Sequence, residues 1–436
     1  MCSAIVEENT KIHQTKMNKQ EVPHELQKRP TFILVWLKWG VFVVCCGLGF
    51  VVSFVIWFYA AGPIYTFEVP KPFYGEKFYN PYQSINSDGW HKCNFHAHAK
   101  CWGGLTNGKN TSQEVLAAYQ KLKYDVASIS NYMDIDTTHS NDPLYIPVYE
   151  HGYGIKKIHQ LALGTPKVVW YDYVFQQNLN QKQHVIDLLK KHSRFVALCH
   201  PRIRNGYSPE DLRFLSGYDL IEVQNSRHIY ENEWDAALSN GHHAWLIAGD
   251  DSHSVGNLGQ LQKSVTFVNV AVSSGDEILE RLAQGSAFGV SFPSNSQKQF
   301  EENLLEAKKV SFPIAIQVIE DGLHVAWQQN MRQIDFIGDN GKLLKTLNDT
   351  DTAFYPIRPE DTYVRIKLTS ADGLVYYLNP VIRYTGDEPI RHSLYSIDMF
   401  RTFLKRTLIV LMVSCTLGGC ITYVRIKRKG LSTELN

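Results

Sequence analysis

The sequence has no excess of charge of either sign. Among its 436 residues, 44 Lys and Arg are balanced by 43 Asp and Glu, which gives a formal net charge of +1 at pH 7. Because proteins that bind nucleic acid usually carry a basic face, we expect no nucleic-acid partner.

The sequence also lacks internal repeats and low-complexity tracts. Hydrophobic residues make up 44% of the chain and charged residues 20%, as in ordinary folded proteins. The length leaves room for two or three domains.

Two apolar stretches are long enough to cross a bilayer. Residues 39–61 provide about twenty uncharged residues in a row, the length that a bilayer core requires, and Trp57 and Tyr59 lie near one end, as interfacial aromatic residues do. Residues 407–424 are at the short limit for a span. A signal peptide is the alternative for the first stretch, and a buried terminal helix is the alternative for the second. We predict a transmembrane helix in each.

Basic residues near these stretches predict their orientation, because Lys and Arg favour the cytoplasmic side of a membrane. They flank the stretches at Lys16, Lys19, Lys28, Arg29 and Lys38, and at Arg425, Lys427, Arg428 and Lys429. Arg401, Lys405 and Arg406 weaken the asymmetry at the second stretch. We predict a protein of the cell membrane with a cytoplasmic arm (1–30), a basic cytoplasmic tail (425–436) and an extracytoplasmic main domain.

Cysteine is scarce in the part that we expect outside the cytoplasm. Of the eight cysteines, only Cys93, Cys101 and Cys199 belong to that part. An oxidising compartment permits a Cys93–Cys101 disulfide. Because three is an odd number, at least one of these thiols is unpaired, and the sequence does not decide whether the Cys93–Cys101 disulfide forms.

Apolar strand-like runs alternate with helical patterns between residues 88 and 295. Strands are predicted at 126–129, 196–199, 220–223 and 245–248, and helices at 112–122, 182–192 and 276–283. Such alternation favours an α/β fold with parallel strands and helices outside them. Prolines among aromatic residues predict an extended linker over 62–87.

From 308 to 387 the pattern changes to short alternating strands. Val364, Ile366 and Leu368 face one way, because side chains alternate along a strand. Three dipeptides typical of hairpin turns occur here, namely Asp321-Gly322, Asn340-Gly341 and Asp372-Gly373. We predict a small antiparallel β-sandwich with a role in spacing, packing or partner contact.

Residues that can bind metal follow the predicted strands of the first region. His96 and His98 are two residues apart and share one face of a strand, as do Asp251 and His253. His200 precedes a proline at the tip of another strand. In β/α barrels the C-terminal strand ends converge on one mouth, and imidazoles mixed with carboxylates suit zinc, manganese or iron. The combination predicts a site for divalent metal ions.

These residues lie in segments that resemble the polymerase-and-histidinol-phosphatase (PHP) family. The segments are FHAHAKCWGG, VASISNYMDI, PVYEHGYGIKKIHQLALG, VALCHPRI, LIEVQNS and AGDDSHS, in the family's order, over roughly residues 88–290. The resemblance implies a distorted seven-stranded β/α barrel at 88–295. It also implies bound divalent metal ions and the hydrolysis of phosphate esters.

The resemblance further implies a set of metal ligands, in which Glu150 is the bridging carboxylate. The set is His96, His98, Glu150, His159, His200, Asp251 and His253.

Two departures from the family's pattern lower the expected number of metal ions. Asn131-Tyr132 replaces the family's Asp-His, and neither an amide nor a phenol is a good ligand for a divalent ion. No histidine occurs at 99–109, where members with three metal ions carry one. We therefore expect two ions. Three nearby residues could substitute, though not at the family's spacing: Asp134, Asp136 and His139.

Hydrolysis of a phosphate ester needs a nucleophile and neutralisation of the phosphoryl oxygens, and two metal ions about 4 Å apart supply both. We assign catalytic roles to Glu150, His253 and Arg202, with His253 or His159 as proton donor to the leaving oxygen. Guanidinium groups bind phosphate at two points, although surface solvation is the alternative for them. The candidates for substrate binding are Arg202, Arg204, Arg227 and Tyr132.

Two functions remain open on the sequence. One is a membrane-anchored, extracytoplasmic phosphoesterase that acts on a phosphorylated small molecule, a lipid head group or a glycan phosphate. The other is a catalytically weak or inactive PHP-like binding or scaffold subunit of a membrane complex. The lipid bilayer is a partner in both.

Overall fold

The structure is a computed structural model that describes residues 29–434, apart from 272, 294–299, 321, 388 and 390–393. The predicted arm at 1–30 lies almost wholly outside the described residues. The chain divides into two compact units. One is Gly62–Leu404, and the other consists of Met1–Ala61 with Lys405–Asn436.

Eight α-helices occur in the described residues. They are α1 (Arg29–Ala61), α2 (Ser112–Lys121), α3 (Leu179–Lys190), α4 (Pro209–Phe214), α5 (Glu231–Leu238), α6 (Gly275–Ala283), α7 (Phe300–Ala307) and α8 (Met399–Glu434). Several begin with a capping box, in which the cap side chain and the third residue of the helix bond each other's backbone. In α2, for example, Glu114 N donates to Thr111 Oγ1 and Thr111 N donates to Glu114 Oε2.

The strands of the described residues carry the site and most of the core. They are β1 (Tyr65–Phe67), β2 (Lys77–Tyr79), β3 (Trp90–Asn94), β4 (Val126–Ala127), β5 (Val148–His151), β6 (Gln160–Leu163), β7 (Phe195–Leu198), β8 (Leu220–Asn225), β9 (Trp245–Gly249), β10 (Ser264–Asn269), β11 (Ala287–Ser291), β12 (Pro313–Ile319), β13 (Gly322–Gly338), β14 (Lys342–Pro356), β15 (Tyr363–Ser370), β16 (Val375–Leu378), β17 (Val381–Tyr384) and β18 (Tyr395–Ile397).

The strands form three sheets. A five-stranded sheet has the order β5-β6-β7-β8-β9, in which β7, β8 and β9 run parallel. An eleven-stranded sheet contains the path β12-β13-β15-β16-β11-β10-β3-β4, with β14, β17 and β2 off that path, and β1 pairs with β18. The protein is therefore a mixed α/β protein, as the alternating pattern predicts.

Two isolated bridges connect the five-stranded sheet with the strands β3 and β4. Ala97, just after β3, bridges to Ser252, just after β9. Tyr132, beyond β4, bridges to Glu150 in β5. These bridges bring the ends of β3, β4, β5 and β9 to one place.

The helices and strands predicted from the sequence are present with shifted bounds. The three helices occur as α2, α3 and α6, and the four strands occur as β4, β7, β8 and β9. Strands β5 and β6 had no prediction. Strand β9 is buried at every residue, which explains why its sequence is a short continuous apolar run instead of an alternating one.

The structure differs from the prediction in two segments. The predicted linker at 62–87 contributes β1 and β2, and its Phe73 and Tyr82 are buried. The strands predicted at 308–387 are antiparallel, but β16 pairs with β11, so they continue the sheet that contains β10 and β3. The sequence pattern contains no information about pairing between strands so far apart.

Of the predicted hairpin turns, Asn340-Gly341 joins β13 to β14. Both residues have positive φ, 54° and 72°, as a type I′ turn requires. Gly373, with φ of 83°, lies between β15 and β16. Asp321 lies outside the described residues.

Both terminal helices contain stretches long and apolar enough to cross a membrane. The stretches are Trp36–Ala61 and Met399–Ile426, and neither is buried. Arg406, one of the basic residues that weakened the predicted asymmetry, donates from Nε and Nη2 to the carbonyl of Ala61 at 2.9 and 2.7 Å. That carbonyl is one of the last in α1, and such carbonyls have no partner within the helix.

Candidate metal centre

The segment His96-Ala97-His98, called the HxH segment below, is held beside the end of β9 by backbone hydrogen bonds. Asp251 N donates to His96 O at 2.9 Å, and His98 N donates to Ser252 O at 2.8 Å. Asp251 has φ of 48°, a conformation that non-glycine residues seldom adopt. Because of this pairing, His96, His98 and Asp251 point their side chains into the same place.

The other predicted ligands reach the same place from the five-stranded sheet. Glu150 lies in β5 and is completely buried, and His159 immediately precedes β6. His200 follows β7 with φ of 29°. Backbone strain of this kind at a strand end often accompanies a functional side chain.

Four atoms from these residues converge on one point. Glu150 Oε2 lies 3.4 Å from His96 Nε2 and 3.1 Å from His98 Nε2. Asp251 Oδ1 lies 3.5 Å from His96 Nε2 and 3.3 Å from His98 Nε2. All four residues are at most 5% exposed, so water is almost excluded.

These four atoms fit a divalent metal ion. None of His96 Nε2, His98 Nε2, Glu150 Oε2 and Asp251 Oδ1 makes a well-formed hydrogen bond to a described residue. Buried polar atoms rarely lack partners. The four histidine–carboxylate separations, 3.1 to 3.5 Å, lie close to the distance of about 3.4 Å between two ligand atoms of a zinc ion with bonds near 2.1 Å. We call these four atoms the first cluster.

The second oxygen of Glu150 belongs to another group. Glu150 Oε1 lies 2.5 Å from His159 Nδ1 and 3.0 Å from His200 Nε2. These three residues form a second cluster that could hold a metal ion. Glu150 therefore directs one oxygen at each cluster, which is the geometry of a bridging carboxylate.

Glu222, in β8, supports both clusters without belonging to either. Its Oε1 lies 2.9 Å from His96 Nδ1, and its Oε2 accepts the backbone N–H of His200 at 2.8 Å. A carboxylate beside Nδ1 favours a proton on that nitrogen and leaves Nε2 free to bind a metal ion. Asn225 Nδ2 donates to Glu222 Oε2 at 3.1 Å and orients the carboxylate further.

The ionisation of the first cluster follows from its carboxylates. Burial opposes a charge on His96 and His98, but it is outweighed by Glu222, Asp251 and Glu150 at His96 and by Asp251 and Glu150 at His98, so the pKa of both imidazoles is raised. Burial also opposes ionisation of Glu150 and Asp251, and the surrounding histidines outweigh it and lower the pKa of both carboxyl groups. The cluster without metal thus favours protonated histidines beside ionised carboxylates.

His253 lies next to the first cluster, but both of its ring nitrogens have partners. Nδ1 lies 2.8 Å from Asp251 O, and Nε2 lies 3.3 Å from Tyr132 Oη. Burial and the charge of His98 lower the pKa of His253 to about 4. The ring is therefore neutral near pH 7, with a proton on Nδ1 and an acceptor at Nε2. His253 can join a group with His98 and Asp251, and its Nδ1 lies 3.7 Å from Asp251 Oδ1.

Asn131 and Tyr132 have structural roles beside the first cluster. Asn131 Oδ1 accepts the backbone N–H of Ala99 at 2.9 Å and so holds the chain just beyond His98. The Tyr132 ring stacks on His98 with centroids 4.5 Å apart. Burial and the charges of Glu150 and Asp251 raise the pKa of Tyr132 far above its ordinary value, so its phenol stays protonated and is a poor ligand.

The three suggested substitutes lie outside the clusters. The groups of described residues that could hold a metal ion include none of Asp134, Asp136 and His139. Asp136 instead bonds Ser112 and Thr138, and His139 packs on Tyr145.

The arginines predicted to bind substrate differ in their surroundings. Arg202 forms a two-point ion pair with Glu233 at 2.8 and 2.9 Å, and Arg204 donates to the carbonyl of Ile155 at 2.6 Å. Arg227 is exposed, and its charge acts on Tyr132. Of the three, Arg227 is therefore best placed to meet a ligand at the clusters.

Besides Glu222, two residues near the clusters had no predicted role. Lys157 places its Nζ 5.1 Å from the centroid of the Tyr132 ring. In the sequence, the only indication that Lys157 lies near the site is its place two residues before His159. Cys199 lies near His96 and Glu150, but burial raises the pKa of its thiol and disfavours the thiolate. Cys93 and Cys101 are both free thiols.

The fold and the site together define a mixed α/β protein with a buried histidine–carboxylate cluster that could bind metal. No family model and no curated protein matches the chain. Among solved structures, the chain is similar to a two-domain protein from Bacteroides vulgatus ATCC 8482 that contains a predicted PHP-like metal-dependent phosphoesterase. The two share 14% sequence identity with a TM-score of 0.36, over 70% of this chain and 100% of the other. A TM-score this low does not establish a shared fold.

Proposed function

We propose that this protein is a metal-dependent phosphoesterase of the PHP type, anchored in a membrane with its main domain outside the cytoplasm. The observation that carries the proposal is the first cluster. Four buried ligand atoms without hydrogen-bond partners converge there, and Glu150 extends the donor set to His159 and His200.

The proposal assigns two ions, zinc, manganese or iron, to the two clusters. Bound divalent ions would neutralise the phosphoryl oxygens and lower the pKa of water. Glu150 would hold the clusters at a fixed separation, and Glu222 would hold His96 in the tautomer that binds metal. Arg227 and Lys157 lie near Tyr132 and would draw a phosphate group towards the clusters.

We further propose that β3 to β9 form the distorted seven-stranded barrel that the PHP resemblance implies over 88–295. The bridges Ala97–Ser252 and Tyr132–Glu150 support this arrangement, because they connect both edges of the five-stranded sheet to β3 and β4. In such a barrel the metal ligands lie together at one end of the strands. The strands at 308–387 would form a sandwich beside it that shares a sheet with β10 and β11.

Membrane anchoring rests on the two terminal helices and on the distribution of basic residues. The stretches Trp36–Ala61 and Met399–Ile426 have the length and composition of spans. Strand β1, just after α1, pairs with β18, just before α8, and Ile64 N donates to Thr402 Oγ1 at 2.9 Å. The segments that lead to the two helices therefore leave the domain side by side, as two spans that enter the same face of a bilayer require.

One observation favours the alternative, a binding or scaffold subunit with little activity. Tyr132 covers His98 and bonds His253, and so occupies space that the proposed substrate must approach. A phenol that stays in place would leave a metal centre that binds but does not hydrolyse.

The test of the proposed function is phosphatase activity of the full chain in detergent micelles with added Mn²⁺ or Zn²⁺. Release of inorganic phosphate from a soluble ester such as glycerol 3-phosphate should fall by roughly two orders of magnitude in His96→Ala and Asp251→Ala, because each removes a ligand atom.

The matched control is His324→Ala, an exposed histidine on β13 away from the clusters, which should keep parental activity. Parental activity in both cluster variants, or a parent that shows no metal-dependent hydrolysis of glycerol 3-phosphate or of a phospholipid monoester such as phosphatidic acid, would contradict the phosphoesterase proposal. Metal-dependent binding without hydrolysis would favour the scaffold alternative.

A further inference from the structure

Apolar side chains stand exposed on three loops, which follow His98, strand β5 and strand β6 in the chain. Leu105 is 91% exposed and Trp102 47%, on the loop that follows His98. Ile155 is 56% exposed on the loop after Glu150, and Trp170 is 58% exposed on a third loop. We call Trp102, Leu105, Ile155 and Trp170 the apolar rim. Soluble domains seldom expose such side chains together unless the surface binds something apolar.

The apolar rim connects directly to the first cluster. Trp102 Nε1 donates to the backbone carbonyl of Tyr132 at 2.8 Å, and the Tyr132 ring stacks on the metal-ligand candidate His98. The Trp102 and Trp170 rings meet edge to face with centroids 5.8 Å apart. A ligand at the clusters would therefore have apolar surface within reach.

Trp102, whose side chain is partly exposed, has an unfavourable backbone conformation. Its φ is 52°, and the two glycines that follow it also have positive φ, 63° and 89°. A bulky residue in this region is a genuine outlier, and such strain concentrates at ligand-binding sites. The loop therefore keeps a large indole partly exposed beside the site, although the backbone conformation is costly.

Positive charge adjoins the apolar rim. Lys156 and Lys157 directly follow Ile155, and Lys157 Nζ lies 5.1 Å from the Tyr132 ring centroid. Arg204 donates to the carbonyl of Ile155. The surface thus combines apolar side chains with cations, which is the pattern that recognises an anionic head attached to an apolar chain.

The loop that carries Trp170 also reaches the place where the chain enters the domain. A Cβ on Gly62 would collide with the Tyr173 hydroxyl, and His184 Nδ1 lies just beyond, so the backbone of Gly62 packs closely against Tyr173. Gly62 is the first residue after the candidate span Trp36–Ala61. Tyr173, three residues after Trp170, therefore packs against the first residue of the domain.

We propose that the phosphate ester on which this protein acts is borne by a membrane lipid, with its acyl chain along the apolar rim and its phosphate at the clusters. This inference rests on the proposed function and narrows its substrate class. A water-soluble phosphate ester has no apolar chain that could contact the apolar rim. A lipid drawn partly out of the bilayer exposes part of its acyl chain to water, and contact with the apolar rim would bury it.

The test uses the full chain in phosphatidylcholine nanodiscs that contain phosphatidic acid, with glycerol 3-phosphate as the matched soluble ester. The ratio of phosphatidic acid to glycerol 3-phosphate hydrolysis should fall at least fivefold in Leu105→Asp and in Trp170→Asp. Leu343→Asp is the control, because Leu343 is an exposed leucine at the start of β14, outside the apolar rim. An unchanged ratio in both rim variants, or a parent that prefers glycerol 3-phosphate, would overturn the lipid proposal.

A second readout does not depend on turnover. Phosphatidic acid with a diazirine on its acyl chain should cross-link, on illumination, to peptides that contain Trp102–Leu105 or Ile155. These cross-links should disappear in Leu105→Asp and persist in Leu343→Asp. Hydrolysis of glycerol 3-phosphate without rim cross-links would reject the lipid substrate and leave the phosphoesterase standing. Rim cross-links without hydrolysis of either ester would reject the phosphoesterase and keep the lipid site.

Discussion

At the scale of single residues, the decisive feature is a set of buried polar atoms without partners. An unsatisfied buried donor or acceptor costs about 1–3 kcal/mol, and proteins seldom place four of them together. His96 Nε2, His98 Nε2, Glu150 Oε2 and Asp251 Oδ1 are such a group. A bound cation would satisfy all four at once, which is why we interpret them as ligands.

Glu222 gives the sharpest prediction at this scale, because it contacts His96 without facing the first cluster. Replacing it in Glu222→Gln removes the charge that holds the proton on His96 Nδ1, so the affinity for Zn²⁺ should fall by about 10–100-fold. Competition with a coloured chelator measures this affinity. Glu231→Gln, which alters a carboxylate paired with Arg365 and Lys367, should bind metal like the parent. Equal affinity in Glu222→Gln and the parent would show that the carboxylate does not tune the site.

Much of the candidate site follows from the sequence, because two-residue spacing and strand-end positions determine which side chains share a face. The pairs His96/His98 and Asp251/His253 are examples. The sequence could not predict that Arg202 is engaged by Glu233, that Asn131 bonds Ala99, or that both nitrogens of His253 have partners. Each of these facts depends on a partner that other parts of the fold bring close.

At the scale of elements, the site depends on how closely β9 approaches the HxH segment. Gly249 ends β9, and a Cβ at this position would lie 2.8 Å from Glu222 Oε1 and 2.8 Å from the Cβ of His96. The His96 contact is to the root of a side chain, which cannot move unless the backbone moves. Glycine is therefore required at position 249 because there is no room for a Cβ, and not because of the backbone angle φ.

We predict that Gly249→Ala lowers the affinity for metal at least tenfold and leaves the secondary structure intact. The added methyl displaces His96 and Glu222, and a misplaced ligand loses much of its bond to the ion. Isothermal titration with Zn²⁺ and circular dichroism measure the two effects. Gly256→Ala is the control, since the nearest atom to a Cβ there, Ser254 Oγ, is 3.7 Å away. Parental affinity in Gly249→Ala would mean that β9 does not position the cluster.

The strands that the sequence did not predict are also informative. Strands β5 and β6 have four residues each and bury polar side chains, including Glu150, His151 and Gln160. A pattern based on apolar residues cannot find strands whose buried faces are polar. The buried polar side chains that contribute to the site are thus also the reason why the apolar pattern misses these two strands.

At the scale of the whole molecule, the candidate ligands come from five separate segments of Gly62–Leu404, near residues 96–98, 150, 159, 200 and 251–253. The mixed α/β class is predictable from the alternation of elements. The single sheet that joins β10 and β11 to the strands beyond residue 308 is not, because it depends on the pairing of β11 with β16.

Because these segments are distant in the chain, a bound ion should stabilise the whole domain. A ligand present at 100 times its Kd adds about 2.7 kcal/mol to the free energy of unfolding. We expect added Zn²⁺ or Mn²⁺ to raise the Tm by a few degrees, and EDTA to reverse the change, as measured by intrinsic fluorescence. His324→Ala should respond like the parent, and Asp251→Ala should show a smaller rise in Tm, because it loses the ion of the first cluster. The same rise in Asp251→Ala would place the stabilising ion elsewhere.

The most direct test of the account is the metal content of the purified full chain, measured by inductively coupled plasma mass spectrometry after loading with Zn²⁺ and removal of excess metal. We predict two ions per chain in the parent and in His324→Ala, and at most one in His96→Ala and Asp251→Ala. Equal metal content in all four proteins would contradict the central claim that His96, His98, Glu150 and Asp251 hold an ion.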